Sequence, residues 1–131
     1  MRRSDLLSFS VAVLAFVGMD LLLHWSAVWF GRENFTVASL VAGQFLLPFA
    51  PVVVAGLVAG YIGTPRGFVL GLVAGFVGSS VSVLWRFQGV SLAVPGAAAV
   101  WWSIACWVCG VALATAVYGW AGERVHFKLR G

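Results

Sequence analysis

Apolar residues run along this chain in four long blocks separated by short polar breaks, at positions 6–30, 37–62, 68–85 and 97–120. Each block approaches or exceeds the ~20 residues that a helix needs to cross ~30 Å of hydrocarbon. A transmembrane β-barrel would instead alternate lipid-facing and polar positions over ~10-residue segments. The blocks here are continuous, so they read as helices. The breaks carry local signals. Gly31 suits a helix end, and Thr36 suits the cap of the second helix. Thr64 followed by Pro65 reads as an N-cap and first helical position for the third. Gly89 suits the end of that helix, and Pro95 the start of the fourth. The expected fold is an all-α integral membrane protein, a single four-transmembrane-helix bundle.

Composition agrees. Of 131 residues, 62% are hydrophobic and 9% charged, against ~45–50% and ~25% in ordinary globular domains. Eight Lys+Arg and four Asp+Glu are too few to cover a water-facing surface. This excludes a soluble enzyme, a disordered tail and a disulfide-stapled secreted domain. The first block exceeds the ~7–15 residues of a signal-peptide core, so it reads as a retained span. The net charge of +4 makes no basic groove, so no nucleic-acid partner is expected. It sets topology instead. Four spans put both ends of the chain and the Arg66 loop on one side, with Arg2, Arg3, Arg66, Arg124, Lys128 and Arg130. Arg32 and Arg86 fall on the other. The positive-inside rule makes both termini cytoplasmic in the cell membrane. Trp25, Trp29, Trp85, Trp101 and Trp102 cluster near the outer headgroup level, Trp120 near the inner, and Trp107 lies deep.

An internal repeat marks the centre: GLVAGYIG at 56–63 and GLVAGFVG at 71–78. Gly56 and Gly60 are four apart, as are Gly67, Gly71 and Gly75, so each set lines one helix face. Small residues let backbones approach closely, which matters in lipid, where no hydrophobic force drives helices together. Counting outward from a turn at 64–66 sets Gly60 level with Gly71 and Gly56 level with Gly75. The reading is a tight Gly-rich hairpin of helices 2 and 3, with a pore lining or subunit contact as the alternative. Pro48 and Pro51 kink helix 2 and free carbonyls that need partners, one of them within reach of Gln44.

The stretch LLPFAPVVVAGLVAGYIGTPRGFVLGLVAGFVGSS, 46–80, carries Pro48, Phe49 and Pro51, then Gly56 and Gly60-Tyr61, then Gly67, Gly71 and Gly75. It resembles the central hairpin of an uncharacterised family of small four-span archaeal membrane proteins, common in haloarchaea. The resemblance implies a four-span architecture and assigns no activity or site.

Polar residues inside the spans are the candidate chemistry. Asp20 lies near the midplane, where an acid is expensive and marks a functional hypothesis by default. His24 follows one turn on, at i+4. The pair suits proton or cation binding, or structural hydrogen bonding between helices. Gln44, Arg86 and Cys106 complete the candidate polar site, with Ser79, Ser80, Ser82 and Ser103 at similar depth. Small residues Ser8, Ala12, Ala15 and Gly18 form a packing stripe that leaves Asp20 on another face of helix 1. Cys106-Trp-Val-Cys109 is a CxxC, a redox cue, but it sits in an apolar helix where thiolates form poorly. It reads better as a seam with Ser103, Gly110 and Ala114. Phosphate loops, zinc motifs and nucleophile elbows are absent, so no cofactor, metal or enzymatic activity is expected. The functional expectation is a polytopic scaffold or accessory subunit in a homo-oligomer or larger complex. The alternative is a minimal proton- or cation-coupled transporter or channel using Asp20 and His24.

Overall fold

The computed structural model describes residues 2–30, 49–63, 65–86 and 96–131. They form four helices, α1 (Arg3–Phe30), α2 (Phe49–Ile62), α3 (Gly67–Arg86) and α4 (Ala97–Arg130), with no strand among the described residues. Three of these helices, α1, α3 and α4, are long and apolar enough to cross a membrane. The described part of α2 is a shorter apolar helix of 14 residues. The protein is an all-α membrane bundle, as its hydropathy requires. Its exterior makes the same point: Leu14, Leu22, Leu84 and Trp102 are each about 70% exposed, on a surface whose apolar atoms only lipid can cover favourably.

The α2–α3 hairpin is the middle of the bundle. Helix α1 lies against both arms on one side and α4 against both on the other, and α1 and α4 scarcely meet. The interior is built of small residues. Ala12, Ala55, Ala59, Ala74, Ala112 and Ala116 are buried, and the largest fully buried side chains are Thr115, Pro51, Ser8 and Ser79. A water-soluble core would bury Leu, Ile and Phe because water expels them. In lipid that force is missing, and contact between backbones replaces it.

Local hydrogen bonds set the helix ends. The Gly63 N–H donates to the Ala59 carbonyl at 2.9 Å and the Arg66 N–H to the Gly63 carbonyl at 2.8 Å, closing the turn. The Leu70 N–H then donates to the Arg66 carbonyl at 3.0 Å, so Arg66 occupies the cap position of α3. Pro65 accordingly lies within the turn and not at the first helical position expected for it; Thr64 lies outside the described residues. Gly96 begins α4 with φ of 90°, a left-handed conformation that costs glycine nothing. The largest departure from expectation is the far end of α4, which continues past Trp120 to Arg130. Hydropathy ends there because the residues become polar. The helix continues because no proline interrupts it, and Lys128 and Arg130 in its last turn favour the negative end of its dipole. Pro48 and the expected kink of α2 fall outside the described residues; Pro51 sits in the first turn of the described helix.

Candidate functional site

The glycines of the hairpin converge at its turn end, and what they converge on is α4. A methyl group placed on Gly56 would stand 2.5 Å from the Tyr118 Cβ and 2.7 Å from the Thr115 carbonyl oxygen. One on Gly71 would stand 2.6 Å from that same oxygen, and one on Gly75 2.6 Å from the Thr115 hydroxyl. Nearer the turn, Gly60 abuts the Gly119 carbonyl, and a methyl on Gly67 would meet that carbonyl at 2.5 Å and the Gly60 Cα at 2.8 Å. The register therefore differs from the one obtained by counting. Gly60 lies level with Gly67, and Gly56 with Gly71, because the turn is centred nearer Gly63 than Pro65. The expected hairpin is present, but its glycine faces are turned toward a third helix. Thr115 and Gly119 of α4, four residues apart, are the surface that both faces meet.

Two carboxylates fasten the same end. Asp5 of α1, almost fully buried, lies 3.5 Å from the Arg66 guanidinium and accepts the Arg2 N–H at 3.3 Å. Glu123 of α4 accepts the Gly67 N–H at 3.2 Å, supplying from another helix the acceptor that the start of α3 lacks. The Ser8 hydroxyl donates to the Ala59 carbonyl at 2.9 Å, tying α1 to α2. Two other buried hydroxyls bond back into their own helices, Ser79 to the Gly75 carbonyl at 2.6 Å and Thr115 to the Val111 carbonyl at 2.7 Å.

The residues singled out for polar chemistry are dispersed. Asp20 is half-buried. The buried face of α1 runs through Asp5, Ser8, Ala12 and Phe16, and Asp20 follows Phe16 by one turn. Gly18 is exposed, with open space where its side chain would be. The packing stripe thus leads toward Asp20, contrary to the expectation that Ala15 and Gly18 carry it away. Phe16 packs against Gly78, with a methyl there 2.8 Å from the ring. Since α1 and α3 run in the same direction, Asp20 lies level with Ser82, one turn beyond Gly78. Ser82 is buried and its hydroxyl has no hydrogen-bond partner. His24 is exposed. Cys106 and Cys109 are exposed free thiols, and Ser103 and Gly110 also face outward. The expected small-residue seam of α4 is therefore an outer surface except at Ala114, which packs on the Phe16–Val52–Ala55 cluster. Cys106 on α4 and Asp20 on α1 belong to helices that scarcely meet. Gln44 and the side chain of Arg86 lie outside the described residues. No group of three His, Cys, Asp or Glu residues able to hold a metal ion occurs among the described residues.

Sequence reasoning passed over Asp5, Thr115, Gly119 and Glu123. A signal for the α4 residues was present: Ala112, Ala116 and Gly119 repeat at helical spacing beside Thr115, with an acid one turn further on. No protein-family model, curated protein or solved structure matches the chain.

Proposed function

We propose that this chain is a non-enzymatic scaffold or accessory subunit of the cell membrane, assembled as a homo-oligomer or within a larger membrane complex. The observation that carries this reading is where its chemistry goes. Asp5, Glu123, Ser8 and the five glycines all hold helices to one another, while His24 and Cys106 face outward on different helices. The outer part of α4 presents Trp101, Trp102, Ser103, Cys106 and Gly110 as an exposed aromatic and small-residue face, suited to another membrane helix. Both termini are assigned to the cytoplasmic side from the distribution of Lys and Arg. A reporter fused after Gly131 should read inside, and a cysteine placed at Glu33 should label from outside.

The second reading is a proton- or cation-coupled transporter, and the half-buried Asp20 level with Ser82 favours it. The two part at one substitution. Asparagine keeps the shape of Asp20 and one acceptor but removes its titration. For a scaffold, Asp20→Asn assembles as the wild type does, and neither protein carries proton flux across reconstituted vesicles at any pH. Flux in the wild type that follows pH and disappears in Asp20→Asn would overturn the scaffold reading. Copurification from native membranes with mass spectrometry identifies the assembly.

A further inference from the structure

Near the turn end, α2 and α4 pack along a line of backbone contact. Contact is made at Gly122, where a methyl group would stand 2.5 Å from the Leu57 carbonyl oxygen. Beside that line lies a trough of about 320 Å³ lined by Leu57, Val58, Tyr61, Ile62, Gly122 and Val125. The pairs Leu57–Tyr61 and Val58–Ile62 are each one helical turn apart, so the trough follows the helix axes. Its walls are almost wholly apolar and it opens outward, at a depth where α2 is still within an apolar span. An acyl chain is the occupant that such a slot in a bilayer admits, since water there finds no hydrogen-bonding partner.

The direction of the trough says which lipid. Helix α2 stops at Ile62, whereas α4 continues past it with Lys128 and Arg130 in its last turn. Lys128 follows Val125 by three residues and so continues the face that lines the trough. Arg124 stands over the Trp120 ring at 4.8 Å, and the Tyr61 and His126 rings meet edge-on at 4.9 Å beside the mouth. Amphipathic rings of this kind mark headgroup depth. The two acids at this end are already engaged, Asp5 with Arg66 and Glu123 with the Gly67 N–H. Along α4 the slot residues Gly122 and Val125 are followed by the His126 ring and then by Lys128, which makes no ion pair among the described residues. That is the order of an acyl chain, a glycerol backbone and a phosphate.

We propose that this trough binds one anionic phospholipid, with an acyl chain along Leu57, Tyr61 and Val125 and its phosphate at Lys128. The inference does not rest on the scaffold reading, because it concerns a site on the surface of a single chain.

The test uses the full chain in detergent, stripped of lipid and titrated with dioleoyl phosphatidylglycerol or dioleoyl phosphatidylcholine, with bound lipid counted by native mass spectrometry. The wild type should retain one phosphatidylglycerol at about fivefold lower lipid concentration than phosphatidylcholine, the scale expected of one surface cation acting on one headgroup. Val125→Trp, which fills the trough, should lose retention of both lipids. Lys128→Gln should keep a lipid but lose the preference. Val117→Trp, the same change at an exposed position of α4 outside the trough, should behave as the wild type. Equal retention of the two lipids by the wild type would overturn the proposal, and this comparison needs no variant to fold. Unchanged phosphatidylglycerol retention by helical, monodisperse Val125→Trp would overturn it as well.

Discussion

The two ends of the bundle use the same residue types to opposite effect. At the turn end, glycines from α2 and α3 face the backbone of α4 at Thr115 and Gly119, and a methyl group on any of them meets another chain segment at under 3 Å. At the other end, Gly18 and Gly110 have nothing within 4 Å of that position, and Trp101 and Trp102 of α4 are exposed. Glycine in a membrane helix therefore does not by itself bring helices together. It does so where a neighbour offers backbone at the same level and where polar contacts hold the register. Here those contacts are Glu123 on the Gly67 N–H and Asp5 beside Arg66.

The contrast is open to direct attack. The largest effect should come from Gly60→Leu, which drives a side chain into the Gly119 carbonyl. The expected loss is ~3 kcal/mol or more, the upper end of what overpacking costs, measured by reversible unfolding in mixed micelles. Gly110→Leu should be tolerated in the same assay, and so should Val69→Leu, because Val69 is exposed. Equal damage from all three would erase the difference between the ends. Glu123→Ala comes next, removing the acceptor at the start of α3 at about 1 kcal/mol, as the loss of a helix cap does. Arg66→Ala should cost less, ~0–1 kcal/mol, since the guanidinium is largely exposed and such pairs are screened. The smallest effect belongs to Cys106→Ala combined with Cys109→Ala, within about 0.5 kcal/mol, as for surface positions away from any packed feature. A larger loss there would show that the outer face of α4 is a packed surface in the assembled protein.

Much of the architecture was legible in the chain because hydropathy over ~20 residues has a single physical reading in a membrane. The positions of α1, α3 and the start of α4 follow from it. Its failures are equally physical. Hydropathy marks where the lipid stops, and α4 continues as a helix to Arg130 beyond that point. Counting from an assumed turn fixes neither level nor partner: the turn is centred nearer Gly63 than Pro65, and both glycine stripes face α4. The face that carries Asp20 escapes a count of small residues for a related reason. Residues four apart advance by about 40° around a helix, and the buried line from Ser8 through Ala12 to Phe16 drifts toward Asp20 as α1 crosses its neighbours. The dispersal of His24 and Cys106 was not legible at all, since it depends on which helices become neighbours.

Among the described residues no fully buried side chain is large, and this has a consequence for mapping this molecule. Truncation scanning finds a core by carving cavities, and each carved cavity registers as lost stability. Between Ala55, Ala59, Ala74, Ala112 and Ala116 there is nothing left to carve. An alanine scan would pass over the most tightly built part of the protein in silence, and its clearest signals would come from Phe16, Val52 and Leu70 at the margins. The informative scan runs the other way, adding bulk one position at a time, and its map of intolerance would trace the line where α2, α3 and α4 meet.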